Sequence, residues 1–188
     1  MTKIALTGSI ASGKTTASRF ISNNRGPLFS ADEIVKKLYK KKDFRIKIAK
    51  EFKINLNSQF KGKLKKSIIY QNRNLKKLEK IIHPIVRKKM FIFLRKNKSK
   101  KYLFCEIPLL IESKLTKYFD VVIFIKSKKK LRLKRYKLRG GNNKLFNLLN
   151  SFQLKDSKKI RFCDHIVVNN KSLSFLKKNL LNIIKIYE

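Results

Sequence analysis

Residues 8–15 read GSIASGKT. It matches the pattern G-x-x-x-x-G-K-[ST] in full, and it lies between an apolar segment at residues 3–7 and an amphipathic segment at residues 14–22. The glycines let the loop direct several backbone N–H groups toward one phosphate at the positive end of the following helix. Because glycine accounts for only 6 of 188 residues, the match is not expected by chance, and it predicts a phosphate-binding loop.

Each residue type in this loop has a chemical task. Lys14 is expected to reach the β- and γ-phosphates of a nucleoside triphosphate, and the Thr15 hydroxyl is expected to ligate Mg²⁺. ATP and Mg²⁺ are therefore the predicted nucleotide and metal ion. The predicted nucleotide-binding residues are Ser9, Ile10, Ala11, Ser12, Gly13, Lys14, Thr15 and Thr16.

Short apolar segments alternate with helical patterns on both sides of the long middle part of the chain. Strands are predicted over residues 3–7, 27–30, 102–107, 121–125 and 166–168, and the stretch over about residues 33–98 is helical throughout, with a break or kink at His83-Pro84. This order predicts an α/β protein of the P-loop type, with three α/β/α layers around a five-stranded parallel sheet. We expect one kinase unit with a core over residues 1–32 and 99–188 and a helical insertion over about residues 33–98.

The composition is dominated by a formal net charge of +38. Such a charge is typical of nucleic-acid-binding proteins, but here the excess is lysine, spread over the whole chain and accompanied by abundant Asn, Ile, Phe and Tyr. These residues have A/T-rich codons, so a biased genome accounts for the charge, and no specific nucleic-acid partner is predicted. The chain begins without a signal-peptide pattern and lacks a bilayer-spanning apolar stretch, which favours the cytoplasm and no membrane partner. Cys105 and Cys163 lack CxxC spacing and are predicted to be buried free thiols.

Three acidic residues are candidates for chemistry. Asp32 follows the second predicted strand, expected beside the strand of the phosphate loop, where a carboxylate is placed to accept a hydroxyl proton or to hold Mg²⁺. The alternative for Asp32 is a helix N-terminal acid stabilised by the helix dipole. Glu106 ends the third strand, where P-loop enzymes often carry a metal-binding carboxylate, and Glu112 follows shortly after. Either glutamate also fits a solvated loop.

Basic residues precede a glycine pair at residues 140–141. Arg135 and Arg139 are four apart and share a helix face, which suits a lid over about residues 135–155 that neutralises phosphate charge. The alternative is a solvated basic face. Both arginines are predicted to be catalytic, ahead of Arg132, and His83 is either a partly buried helix residue or a substrate contact.

Taken together, these segments resemble the dephospho-CoA kinase family over nearly the whole chain. The resemblance rests on GSIASGKT, the SAD triplet at residues 30–32, His83-Pro84, IPLLIE at 107–112, LKRYKLRGG at 133–141, Gln153 and DHIVVN at 164–169, in the order that the family has them. Ser30 and Glu106 depart from it, because many members carry aspartate at both positions, and Asp156 stands where basic residues are more usual.

The resemblance implies transfer of the γ-phosphate of ATP to the 3′-hydroxyl of dephospho-CoA, the last step of coenzyme A synthesis. It implies that Asp32 is the catalytic base, that the 33–98 insertion binds the acceptor and that the segment around 135–141 is the ATP lid. The complete prediction lists Lys14, Asp32, Arg135 and Arg139 as catalytic, Asp32, His83 and Glu112 as substrate contacts, Asn169 as a nucleotide contact, and Thr15, Asp32 and Glu106 as metal ligands. Another P-loop small-molecule or nucleotide kinase is the main alternative.

Overall fold

The computed structural model describes residues 1–188, with the exception of the side chain of Asn72. The described strands are β1 (Thr2–Thr7), β2 (Leu28–Ser30), β3 (Tyr102–Glu106), β4 (Val121–Lys126) and β5 (His165–Val168). The described α-helices are α1 (Lys14–Ser22), α2 (Ala31–Lys40), α3 (Lys42–Phe52), α4 (Phe60–Tyr70), α5 (Asn72–Lys96), α6 (Lys129–Leu138), α7 (Asn143–Ser151), α8 (Asp156–Ile160) and α9 (Leu173–Lys185), and a 3-10 helix spans Thr116–Tyr118.

The five strands form one parallel sheet with the order β2-β3-β1-β4-β5, which confirms the predicted α/β fold. The expectation that the second strand neighbours the strand of the phosphate loop was wrong, because β3 lies between β2 and β1. β2 has only three residues, and a strand this short is typical of a sheet edge. In this register Glu106 lies beside Leu6 of β1 and Ser30 of β2, so the carboxyl ends of three strands meet at one edge.

The core surrounds the central strands on both sheet faces. Alternate residues of β1, β3 and β4 pack with apolar residues of α1 and α9 on one face, among them Ile4, Phe104, Ile123, Ile21 and Leu180. The intervening strand residues, such as Ala5, Leu103 and Phe124, are also fully buried. Burial of both faces explains why the strands read as continuous apolar runs and why β1 can hold the start of the phosphate loop rigidly.

The chain divides into two compact units, one of residues 1–30 and 94–188 and one of residues 31–93. The second unit contains α2, α3, α4 and most of α5, and its buried apolar residues include Phe44, Ile48, Phe60 and Leu64. Its assignment to acceptor binding stays a prediction. Across the described residues, no helix is both long and apolar enough to cross a membrane.

The expected break at His83-Pro84 does not occur, because α5 continues through Pro84. Proline lacks the donor for its own helical hydrogen bond, and its ring crowds the carbonyl oxygen of the preceding turn, so it carries a local cost. Leu75, Leu78 and Ile82 are buried before Pro84 and Met90 after it, so both halves of the helix are held by packing. Tertiary burial outweighs the local cost of the proline here.

Both cysteines are free, as predicted, although Cys163 is only partly buried. Burial raises the pKa of the Cys105 thiol, and burial together with Asp164 raises the pKa of the Cys163 thiol to about 12. Since the thiolate is the reactive form, we expect iodoacetamide at pH 8 to leave both cysteines of the native protein unmodified and to label both in denaturant. Intact-mass spectrometry measures this difference, and native labelling as fast as that of the unfolded chain would contradict it.

Candidate active site

The loop at residues 8–15 depends on glycine at both of its ends. Gly8 and Gly13 have φ angles of 148° and 101°, which side chains rarely allow. A β-carbon would collide with the Ile125 carbonyl oxygen at Gly8 and with the Asn169 side-chain amide at Gly13. The helix then begins at Lys14. The backbone N–H groups of its first turn have no acceptor within the helix, so they are available to bind an anion such as phosphate.

The Lys14 ammonium group lies over this loop. Its Nζ donates to the Ser9 carbonyl oxygen at 2.9 Å, and the same oxygen accepts the Ser12 N–H at 3.1 Å. Lys14 is only 7% exposed. A charge with so little solvent contact is screened weakly, so its attraction to a bound phosphate is stronger than that of a surface lysine.

The Glu106 carboxylate accepts hydrogen bonds from three hydroxyl groups beside the loop. This carboxylate is 1% exposed at the end of β3. Its Oε1 accepts from Thr15 Oγ1 at 2.6 Å, and its Oε2 accepts from Ser30 Oγ at 2.9 Å and from Ser18 Oγ at 3.5 Å. These hydrogen bonds fix the carboxylate next to the loop threonine and replace part of the hydration that burial removes.

Thr15 and Glu106 fit a magnesium ion that arrives with a nucleotide. Hydroxyl and carboxylate oxygens are ligands that Mg²⁺ prefers, and the two side chains are already in contact. The described part of the chain holds no group of three His, Cys, Asp or Glu residues that could bind a metal ion by itself. Mg²⁺ at phosphate-transfer sites takes most of its ligands from water and substrate phosphates, so the small protein contribution is sufficient.

Arg135 and Asn169 hold the backbone of the loop. Asn169 Nδ2 donates to the Ser12 carbonyl oxygen at 2.8 Å, while Arg135 donates to the carbonyl oxygens of Asn169 at 3.0 Å and Ser12 at 3.4 Å. Burial lowers the pKa of Arg135, and the charge of Arg139 lowers it further. Arginine stays protonated at neutral pH nevertheless, so positive charge is kept beside the phosphate site. Arg139 itself is exposed just after α6, next to Gly140, whose φ is 79°.

Arg132, which we ranked below the other two arginines, is the most buried of the three. It donates to the carbonyl oxygens of Ile10 at 3.3 Å and Ser127 at 3.2 Å and to Asn150 Oδ1 at 2.8 Å, and its guanidinium lies 5.8 Å from the Phe146 ring centre. Burial lowers its pKa, and Asp156 opposes that shift. Arg132 therefore stabilises the loop through its hydrogen bond to the Ile10 carbonyl oxygen, although the two residues are 122 positions apart in the sequence.

Two further residues form hydrogen bonds with the start of the loop. Neither was among the predicted site residues. Gln153 Oε1 accepts the Ile10 N–H at 2.8 Å, and Asp156 Oδ1 accepts the Ser9 hydroxyl at 2.5 Å. Gln153 had a signal in the sequence, because it belongs to the family pattern. Asp156 had no signal in the sequence beyond its departure from that pattern, because its hydrogen-bond partner Ser9 lies 147 residues away.

The other predicted site residues are Glu112, Asp32 and His83. Glu112 forms an ion pair of 2.7 Å with Lys159. Asp32 is exposed in the first turn of α2, and His83 lies part-buried in α5, and both belong to the unit of residues 31–93. Burial lowers the pKa of His83, and the charge of Arg87 lowers it further, so this imidazole is neutral at pH 7.

Comparison with known proteins identifies the family of this chain. The family model for dephospho-CoA kinase matches residues 2–174. Dephospho-CoA kinases from Bartonella quintana and Rickettsia felis are 35% and 31% identical, over 97% and 98% of this chain and 96% of each relative. The solved dephospho-CoA kinase from Campylobacter jejuni superposes with a TM-score of 0.64 at 25% identity, covering 99% of this chain and 97% of that one. The chain belongs to the dephospho-CoA kinase family.

Proposed function

We infer that this protein transfers the γ-phosphate of ATP to the 3′-hydroxyl of dephospho-CoA and so produces coenzyme A and ADP. The observation that carries this inference is a fully formed phosphate loop, with Lys14 above it and Thr15 in contact with Glu106, in a chain that matches this family over residues 2–174. The reaction forms a bond between the 3′-oxygen and the γ-phosphorus and breaks the bond from that phosphorus to the β,γ-bridging oxygen.

We propose that the loop and its neighbours neutralise the charge that the transferred phosphoryl group carries. The first-turn N–H groups of α1 and the Lys14 ammonium would contact the phosphates, and Arg135 and Arg139 would face the same charge from the lid at about residues 135–155. Thr15 and Glu106 would hold Mg²⁺, which would supply further positive charge to the phosphates when bound.

We further propose that Asp32 accepts the proton of the attacking 3′-hydroxyl. Asp32 follows Ser30 by two residues in the chain, and Ser30 is the register partner of Glu106 at the edge of the sheet. A carboxylate in this role needs to be ionised and within hydrogen-bond reach of the acceptor. The unit of residues 31–93, with His83, is proposed to bind the acceptor.

Acceptor identity is tested by measuring ADP release from ATP with a panel of acceptors. We expect turnover with dephospho-CoA, a product with the mass of coenzyme A, and little turnover with adenosine or nucleoside monophosphates. A preference for a nucleoside monophosphate would instead support the alternative, another P-loop kinase.

Glu106→Gln tests the proposed metal site, because it keeps the shape and removes the charge. We expect the Mg²⁺ concentration that gives half-maximal activity to rise by about tenfold or more, and we expect Mg²⁺ to lose much of its enhancement of ADP binding in calorimetry. Ser18→Ala, which removes a 3.5 Å contact to the same carboxylate and a 3.1 Å hydrogen bond to the Thr15 carbonyl oxygen but no charge, is the control. An unchanged Mg²⁺ requirement in Glu106→Gln would exclude a metal role.

A further inference from the structure

Lys159 and Glu112 form an ion pair inside the unit of residues 1–30 and 94–188. Their Nζ and Oε1 atoms are 2.7 Å apart, with side-chain exposures of 0% and 16%. Within the described residues, Glu112 Oε2 has no hydrogen-bond partner, and Lys159 Nζ has no partner besides this ion pair. Each charge is therefore compensated mainly by the other, and a buried pair of this kind is strongly destabilised when only one member is removed.

The pair contacts the segment of residues 153–159, which forms hydrogen bonds with the phosphate loop. Glu112 Oε1 also accepts the Leu154 N–H at 3.0 Å, one residue after Gln153. Lys159 lies three residues after Asp156 on α8, a helix of five residues. A helix this short is not stable by itself, so its position depends on side-chain anchors such as Lys159.

Two routes therefore lead from the pair to the loop. One runs from Glu112 through Leu154 to the neighbouring Gln153, whose Oε1 accepts the Ile10 N–H at 2.8 Å. The other runs from Lys159 along α8 to Asp156, which accepts the Ser9 hydroxyl. Both routes end on the first half of the loop, on the two residues that follow Gly8.

We propose that Glu112 and Lys159 are positioning residues for the nucleotide: through the segment of residues 153–159 they set the conformation of Ser9 and Ile10. This proposal rests on the inferred kinase function and deepens it. It is an alternative to the expectation that Glu112 contacts the acceptor, because Oε1 of this carboxylate is engaged by Lys159 and the Leu154 N–H and Oε2 is buried. Loss of the pair should therefore weaken the binding of ATP far more than the binding of dephospho-CoA.

The test uses two conservative single variants and their combination. Lys159→Met keeps the length of the side chain, and Glu112→Gln keeps an oxygen that can accept the Leu154 N–H. We expect each to raise KM for ATP by about tenfold or more while KM for dephospho-CoA changes by less than about twofold. In the double variant neither charge is left unpaired, so we expect nucleotide affinity closer to that of the wild type than in either single variant.

Three further variants separate positioning from general stability. Lys158→Met, at an exposed neighbour on α8, removes the same charge without touching the pair and should leave KM for ATP unchanged. Gln153→Ala and Asp156→Ala remove the side-chain oxygens that contact the loop. They should weaken ADP binding as the pair variants do, with little change in melting temperature.

Calorimetric ADP binding requires no acceptor, so these comparisons hold even if dephospho-CoA is not the substrate of the wild type. A rise in KM for dephospho-CoA alone in Glu112→Gln would overturn the proposal in favour of an acceptor contact. A lower melting temperature with unchanged ADP affinity would reduce the pair to a structural role. If both pair variants fail to fold, unchanged ADP affinity in Gln153→Ala and Asp156→Ala overturns it.

Discussion

Replacing Lys14 with alanine is expected to lower kcat by a factor on the order of 10³ or more, with the fold preserved. The ammonium group is a point charge at the transferred phosphate, and its burial makes that charge effective. The Ser9 carbonyl oxygen keeps its hydrogen bond from the Ser12 N–H when Nζ is removed, so the loop retains an internal contact. Steady-state kinetics and circular dichroism on the same preparation measure the two parts of this expectation.

Lys130→Ala is the matched control for Lys14→Ala. Lys130 is an exposed lysine on α6, so its replacement removes one positive charge from the molecule but none from the loop. We expect its kcat to stay within about twofold of the wild type, as for most exposed substitutions. Near-normal turnover in Lys14→Ala would contradict the assignment of the phosphate loop.

The sequence predicts most of the secondary structure, because the signals that start and end these elements are local. The strand–loop–helix unit around residues 8–15 follows from the glycine spacing, and the buried strands follow from short apolar runs. Strand order was harder to predict. The position of β3 between β1 and β2 depends on pairing between segments about 75 to 100 residues apart, which no local pattern encodes.

The difference between local and long-range signals also explains which residues of the candidate site could be predicted. Lys14, Thr15 and the glycines are recognisable because one contiguous motif carries them. Glu106 was recognisable only by its place at the end of a strand, and its hydrogen bond with Ser30 was not, although that contact fits the departure of both residues from the family pattern. Longer than aspartate, Glu106 reaches both Thr15 on one side and Ser30 on the other.

The supporting contacts behind the loop had even weaker signals. Arg132 and Lys159 belong to a chain with 49 Lys and Arg residues, in which another basic residue is not informative. Their importance comes from burial and from partners more than 40 residues away, such as Glu112 for Lys159. A solvated face was therefore the reasonable prediction for most of these lysines, and only the folded structure distinguishes the one that is fully buried.

Asp32→Asn is expected to lower kcat by about 10²- to 10⁴-fold with a smaller change in KM for either substrate. The asparagine keeps the size of the side chain and removes the oxygen charge that accepts the hydroxyl proton. If Asp32 were only an acid in the first turn of α2, the change would cost roughly 0.3–1 kcal/mol of stability through the helix dipole and would leave kcat unaltered. The two roles therefore predict different kinetic results from one substitution.

Glu33→Gln is the matched control, because Glu33 is the next acid in the same first turn and pairs with Lys36 at 2.8 Å. Both variants remove one negative charge from the N-terminus of α2, so any effect of the helix dipole is common to them. A catalytic base at residue 32 alone predicts that only Asp32→Asn loses turnover. Equal and small effects of the two variants on kcat would return Asp32 to the role of a helix-terminal acid and leave the acceptor proton without an assigned base.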